Sequence, residues 1–204
     1  MQALIRRMAR VGGLVLLGVA ATTWAQDSVR VRGTLERVDG STLLVKARDG
    51  AELKVVLADN AIVVGIVKAS LADIKPGTFV GVTGLPQPDG SQKAIEVHIF
   101  PEAMRGTGEG HRPWDLRPQS TMTNANVEEA VTGVNGQTLT LKYKDGEKKV
   151  TVSPDTPIVA YVAASKSELM PGAKIFVPAA TKRPDGSLEA PRVNFGKDGL
   201  TPPM

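Results

Sequence analysis

The chain has no cysteine in its 204 residues, only two histidines, and an aromatic content of 4%. Without cysteine it forms no disulfide, carries no lipid on a cysteine, and has neither a thiolate metal site nor a cysteine nucleophile. A Gly-x-Ser-x-Gly elbow is also missing, so the usual serine-hydrolase arrangement has no sequence signature here. After Ala25 no apolar run approaches the roughly 20 residues that a membrane-spanning helix needs. These absences point away from an enzyme, and no cofactor is expected.

The N-terminal segment is the clearest feature present. Arg6, Arg7 and Arg10 precede the largely apolar stretch 11–21, and Ala25 follows small residues at the spacing of a cleavage site. This is the layout of a cleavable secretory signal peptide over residues 1–25. The residues after Arg6-Arg7 do not continue as a twin-arginine signal, which favours ordinary Sec export and a periplasmic address. Removing this segment takes away three arginines and no acid, leaving 22 basic and 21 acidic residues. A near-neutral processed chain offers little general attraction for nucleic acid.

The remainder is an internal repeat. Asp39-Gly40 recurs as Asn135-Gly136, Asp49-Gly50 as Asp145-Gly146, and Pro88-Asp89-Gly90-Ser91 as Pro184-Asp185-Gly186-Ser187, each 96 residues later. Pro76-Gly77 recurs as Pro171-Gly172 at a spacing of 95. The Asx-Gly pairs suit tight hairpin turns between alternating runs such as Thr138 to Tyr143 and Lys149 to Val152. Ser70 with Asp73, and Ser165 with Glu168, read as capping boxes that open one short helix per copy.

Each copy thus reads as strand, strand, strand, short helix, strand, strand. That order predicts an all-β protein of two tandem five-stranded OB-like barrels, each with one short helix. The expected organisation is a signal peptide at 1–25, barrel repeat 1 at 26–101, a linker at 102–124, barrel repeat 2 at 125–198 and a C-terminal tail at 199–204. The linker has no clear periodicity, yet it holds Met104, Trp114, Leu116 and Met122 with Arg105, Arg112 and Arg117 between them. Flexible spacers are polar and lack tryptophan. Two readings stand: Trp114 pins the linker across the seam between the barrels, or the segment presents a surface to a partner.

The run of Gly33, Asp39-Gly40, Leu43 to Val45, Ser70 to Gly77, Val80 to Gly84, Asp89-Gly90 and Ala94 to Val97 resembles a bacterial exported-domain family known only as a domain of unknown function. The second copy follows it more loosely, with Glu129 in place of Gly33 and Pro178-Ala179 in place of Thr83-Gly84. The resemblance implies the small β-barrel fold and no activity. The linker stretch Pro101 to Asp115 is similar to one in proteobacterial proteins often labelled as metal-transporter permeases. A permease crosses the bilayer several times, which a chain without a second long apolar run does not do by helices.

The expected function is therefore an exported, non-enzymatic binding or scaffold protein of the cell envelope. Arg105, His111, Arg112, Trp114 and Asp115 are the candidate contacts to an envelope protein or other periplasmic partner. The alternative is a periplasmic metal-handling protein for copper or zinc, using His98, Met104, His111 and Met122, because methionine with histidine suits copper. His98 is matched by Asn194 in the second copy and reads as an exposed or hydrogen-bonding strand position. Tyr143 among Lys142, Lys144, Lys148 and Lys149 reads as a solvated edge, with no nucleic-acid partner expected.

Overall fold

A computed structural model describes residues 28–134 and 136–204. The proposed signal peptide lies outside the described residues. The fold is all-β. Twelve strands are joined in one continuous set of ladders, and the helical elements are three-residue 3₁₀ turns. Among the described residues no helix is long and apolar enough to cross a membrane.

The strands are β1 (Ser28–Asp39), β2 (Thr42–Ala47), β3 (Glu52–Lys68), β4 (Phe79–Pro86), β5 (Gln92–Ile99), β6 (Gly110–Pro113), β7 (Thr121–Gly133), β8 (Gly136–Tyr143), β9 (Gly146–Val152), β10 (Ile158–Ala163), β11 (Lys174–Lys182) and β12 (Leu188–Gly196). The repeated turns form as the sequence indicates. In Pro-Asp-Gly-Ser, Asp89 Oδ1 accepts the Ser91 N–H at 3.0 Å and its hydroxyl at 2.6 Å, and Asp185 does the same for Ser187. Gly90 and Gly186 supply the left-handed φ of 82° and 81° that these turns demand. The two expected short helices are single 3₁₀ turns, Leu71–Asp73 and Lys166–Glu168. Their capping boxes are present: the Asp73 carboxylate accepts from the Ser70 N–H and hydroxyl, both at 2.8 Å.

The ladders differ from the expected pair of self-contained repeats. A closed five-stranded barrel is built from β1, β2 and β3 of the first copy and β11 and β12 of the second. It closes through antiparallel β1–β11 and parallel β12–β3 pairing. The complementary strands β7, β8, β9, β5 and β4 follow the same cyclic order, joined by antiparallel β4–β7 and by parallel β5–β9 pairing at Gln92↔Val150 and Lys93↔Thr151. The strands expected fourth and fifth in each repeat thus lie beside those expected first to third in the other.

The crossover lies in the strand that follows the first hairpin. Residues 58–61 bulge, four residues against the single Pro191 of β12, and β3 continues beyond them to Lys68, 17 residues in all. Its outer half pairs antiparallel with β10 through Gly65↔Val162, Ile66↔Tyr161 and Val67↔Ala160. Ile66 and Tyr161 are 95 residues apart, the repeat spacing, so the two copies cross on a local dyad at this pair.

Three cores result. Val31, Leu35, Leu43, Val55, Val177 and Val193 are among those filling the closed barrel, and Val80, Val82, Val97, Val127, Leu139 and Val150 fill the second ring. The third core is the seam between them, made by Val64, Ile66, Phe79, Phe100, Val159, Tyr161, Phe176 and Met204. The C-terminal tail returns to this seam, with Met204 buried and its carbonyl accepting from Arg32 Nε at 3.0 Å.

Candidate functional site

The seam is where the two copies stop resembling each other. Facing-barrel positions agree: Val80 with Ile175, Val82 with Val177, Ala94 with Ala190, and Val97 with Val193. Seam-facing positions on the same strands do not. Gly81 corresponds to Phe176, Thr83 to Pro178, Glu96 to Arg192, and His98 to Asn194.

Cross-strand register assembles the polar side of the seam in two rows. One runs Glu96, Thr83, Met122, Arg112 across β5, β4, β7 and β6; the next runs His98, Gly81, Asn124, Gly110. Directly opposed residues on antiparallel strands share a face, so these side chains are neighbours by construction. Glu96 is 0% exposed, and its carboxylate accepts from the Thr83 hydroxyl and from His98 Nδ1, the latter at 3.2 Å. The imidazole stacks on Tyr161 at 5.1 Å between centroids and meets Phe100 edge-on at 4.9 Å.

Gly81 makes this placement possible. A β-carbon there would stand 2.0 Å from His98 Nε2 and 2.7 Å from Asn124 Oδ1. The absent side chain is the space that the imidazole edge occupies. Burial, with the Glu96 charge second, pushes the Tyr161 phenol well above its ordinary range, so Tyr161 stays neutral.

A cavity of about 100 Å³ opens beside these rows, lined by His98, Tyr161, Trp114, Asn124, Asn194 and Arg112 among others. Three of the four buried side-chain polar atoms without a hydrogen-bond partner among the described residues belong to this lining: Trp114 Nε1, Asn124 Oδ1 and Asn194 Oδ1. Asn124 Nδ2 donates to Thr107 O at 2.9 Å, which fixes that amide with its oxygen toward Gly81. Leaving such atoms unpaired costs about 1–3 kcal/mol each, and all three are closed off from the cavity's open space.

The proposed linker is more ordered than its sequence suggests. It contains β6, which pairs with β7, and Thr121 to Asn124 already belong to β7. Its candidate partner residues are engaged within the chain. Arg105 bonds Glu102, Asn126 and the Gly77 carbonyl; His111 Nδ1 meets Thr123 Oγ1 at 2.8 Å; Arg112 donates to Gly108 O at 2.7 Å. Asp115 accepts from Arg32 at 2.8 Å and lies 3.7 Å from Arg30, while Arg30 also sits 4.0 Å above the Trp114 ring. The segment is thereby fastened to both rings, which matches the pinning alternative. Desolvation, then the charges of Lys148 and Arg112, holds His111 below its ordinary pKa.

The candidate metal ligands separate. His98 and Met122 line the cavity together with Met204; Met104 packs on the seam core and His111 bonds Thr123. Among the described residues no group of three or more His, Cys, Asp or Glu side chains is placed to hold a metal. His98 is buried and hydrogen-bonded, not exposed. Sequence reasoning missed Gly81, Thr83, Glu96, Asn124 and Asn194. The divergence of the copies at alternating positions of strands four and five finds four of them; Asn124 lies on β7, outside that signal.

Neither a family model, a curated protein nor a solved structure matches this chain.

Proposed function

We propose that this is an exported, non-enzymatic binding protein of the cell envelope, made of two OB-like barrels with exchanged strands, whose ligand is a small polar molecule held at the seam. The cyclic order one-two-three-five-four in both strand sets, with three and five parallel, supports the OB-like reading. The observation that carries the binding reading is a seam cavity lined by His98, Trp114, Tyr161, Asn124 and Asn194 together with Arg112 and Arg192, neither of which takes part in an ion pair among the described residues. The linker serves as one wall of that cavity, and a partner protein is not needed to explain its tryptophan.

The metal-handling alternative retains His98 and Met122, with Met204 as a third soft contact. Elemental analysis of protein recovered from the periplasm separates the two: stoichiometric copper or zinc supports the metal. Native mass spectrometry of the same preparation tests the leading reading. The expected result is a small organic adduct on the native chain that is lost when Asn194→Leu replaces a polar lining residue with an apolar one. Absence of any adduct, with no change in Trp114 emission on adding a periplasmic small-molecule extract, contradicts it.

A further inference from the structure

We propose that the leading half of β1 is an acceptor edge for a strand from another protein, an extended peptide that alternates apolar and acidic residues. This surface is separate from the seam cavity.

The two rings differ along one strand edge. Leu35 and Val127 hold the same place: Leu35 N–H donates to Ala173 O at 2.8 Å and its carbonyl accepts from Gly172 at 2.7 Å, and Val127 does the same with Thr78 and Gly77. Counting back from that anchor, Thr121 to Asn124 of β7 correspond to Val29 to Arg32 of β1. On β7 these residues are paired on both sides, by β4 and by the short linker strand β6, from Gly110↔Asn124 to Pro113↔Thr121. On β1 one side is taken by β11. On the other, β2 begins only at Gly33↔Ala47, extended by an Arg48 N–H to Arg32 O bond of 3.1 Å. No strand among the described residues covers residues 28–31 on that side.

The open edge borders a cleft lined by Val29, Arg30, Val31 and Arg32 together with Arg48 and Leu53, among others. Consecutive strand residues point to opposite faces, so a cleft that touches four in a row runs along the edge itself. Backbone groups alternate in the same way. Leu35 turns its N–H and C=O toward the β11 side, as Gly33 and Val31 do by alternation, which aims those of Arg30 at the cleft. Such an edge is completed by main-chain pairing with an added strand.

Side chains set the sequence of that strand. Val31 is buried in the barrel core and Leu53 packs on it, so a residue placed opposite Val31 faces apolar surface. Residues opposite Arg30 and Arg32 share a face with guanidinium groups. The cleft's charged lining is Arg30, Arg32 and Arg48 against Asp49 and Asp115, one cation in excess, and Arg48 takes part in no ion pair among the described residues. A second copy of this edge fits badly, because antiparallel β1 strands paired about Arg30 set like charges opposite each other. Charged side chains can also blunt an edge, but the Arg30 guanidinium is drawn aside, 4.0 Å over the Trp114 ring.

The test is titration of protein recovered from the periplasm with the fluorescein-labelled peptide Ser-Val-Glu-Val-Glu-Val-Ser, a counterpart with lysine for glutamate, and two N-methylated forms. Methyl groups on the glutamate nitrogens block the bonds to β1, and methyl groups on the inner valine nitrogens point away from it. Saturable binding is expected for the acidic peptide and its valine-methylated form, with the lysine and glutamate-methylated peptides weaker by about tenfold or more. Arg48→Glu should weaken the acidic peptide by roughly tenfold with the near-ultraviolet circular dichroism unchanged. The Arg30 amide should exchange rapidly in the free protein and be slowed by about tenfold or more with peptide bound. Equal binding of the two methylated forms overturns strand addition, and so does failure of every peptide to bind. An Arg30 amide already protected in the free protein overturns it too: the edge then belongs to the chain itself, or to a second copy where protection rises with concentration. Equal binding of the acidic and lysine peptides, or indifference to Arg48→Glu, overturns the acidic partner.

Discussion

Gly81→Ala is expected to destabilise the protein by about 3 kcal/mol, the upper part of the range for overpacking a closed site. The added methyl would meet His98 Nε2 at 2.0 Å and Cε1 at 2.3 Å, distances that no relaxed contact permits. The imidazole has nowhere near to go. It is stacked on Tyr161, flanked by Phe100 and tied to Glu96, so displacing it also strips the Glu96 carboxylate of a donor. For a chain of this length the loss corresponds to a fall in Tm of roughly 6–12 °C. A double-mutant cycle isolates the cause: once His98→Ala has emptied the space, Gly81→Ala should cost little, giving a coupling of about 2 kcal/mol. Additive effects would mean that Gly81 is required for some reason other than the room it leaves for His98.

Glu96→Ala carries the second large effect. It removes the acceptor shared by the Thr83 hydroxyl and His98 Nδ1 in a place that water does not reach, and it leaves a void where a long side chain had packed. Truncating one partner of a buried, hydrogen-bonded acidic group costs about 3 kcal/mol or more, most of it from the groups left unpaired. Glu96→Gln keeps the volume and one acceptor oxygen, so the larger part of that loss should be recovered. The exposed pair Glu128 with Lys142 is the control, since solvent screens it and Glu128→Ala should leave chemical denaturation unchanged. Equal destabilisation by Glu96→Ala and Glu96→Gln would show that charge, not hydrogen bonding and fit, is what Glu96 supplies.

The all-β class, the strand order and the turns were legible because each rests on a local signal: Asx-Gly pairs, alternation, and a serine three residues before an acid. Which copy donates strands four and five was not. A repeat that closes on itself and one that exchanges strands present the same turns and the same inward-facing residues, since Val177 occupies the place that Val82 would fill. The difference lies at the hinge, where residues 58–61 hold no proline in the first copy, while Pro154 and Pro157 interrupt the corresponding stretch of the second. Only the Ile66↔Tyr161 pairing reveals that the two copies cross there.

The candidate site was hidden for the same reason. His98 and Trp114 stand out in a chain poor in aromatics and histidine, but Glu96, Thr83 and Asn124 look like ordinary strand residues. They become a cluster only when β5, β4 and β7 lie side by side, and the cavity exists only because the exchange presses one ring's polar outer face against Phe176 and Asn194 of the other copy. The linker's sequence left open whether Trp114 pins it at the seam or the segment presents a surface to a partner; Arg30, Arg32 and Phe176, all distant in sequence, are what Trp114 and Asp115 meet.

The seam and its cavity depend on strand exchange. Thr34 of β1 is the Cα partner of Lys174 of β11, and Lys174 Nζ donates to Thr34 Oγ1 at 2.8 Å. In two self-contained barrels the residue beside Thr34 would instead be Phe79, the counterpart of Lys174 in its own copy 95 residues earlier. Cross-strand cysteines at such opposed positions fall within disulfide reach, and residues in different rings do not. The decisive measurement is thiol titration after mild oxidation of two double variants, Thr34→Cys with Lys174→Cys and Thr34→Cys with Phe79→Cys. The exchanged architecture predicts loss of both thiols in the first and retention in the second; the reverse outcome would show that each copy closes its own barrel and that no such seam exists.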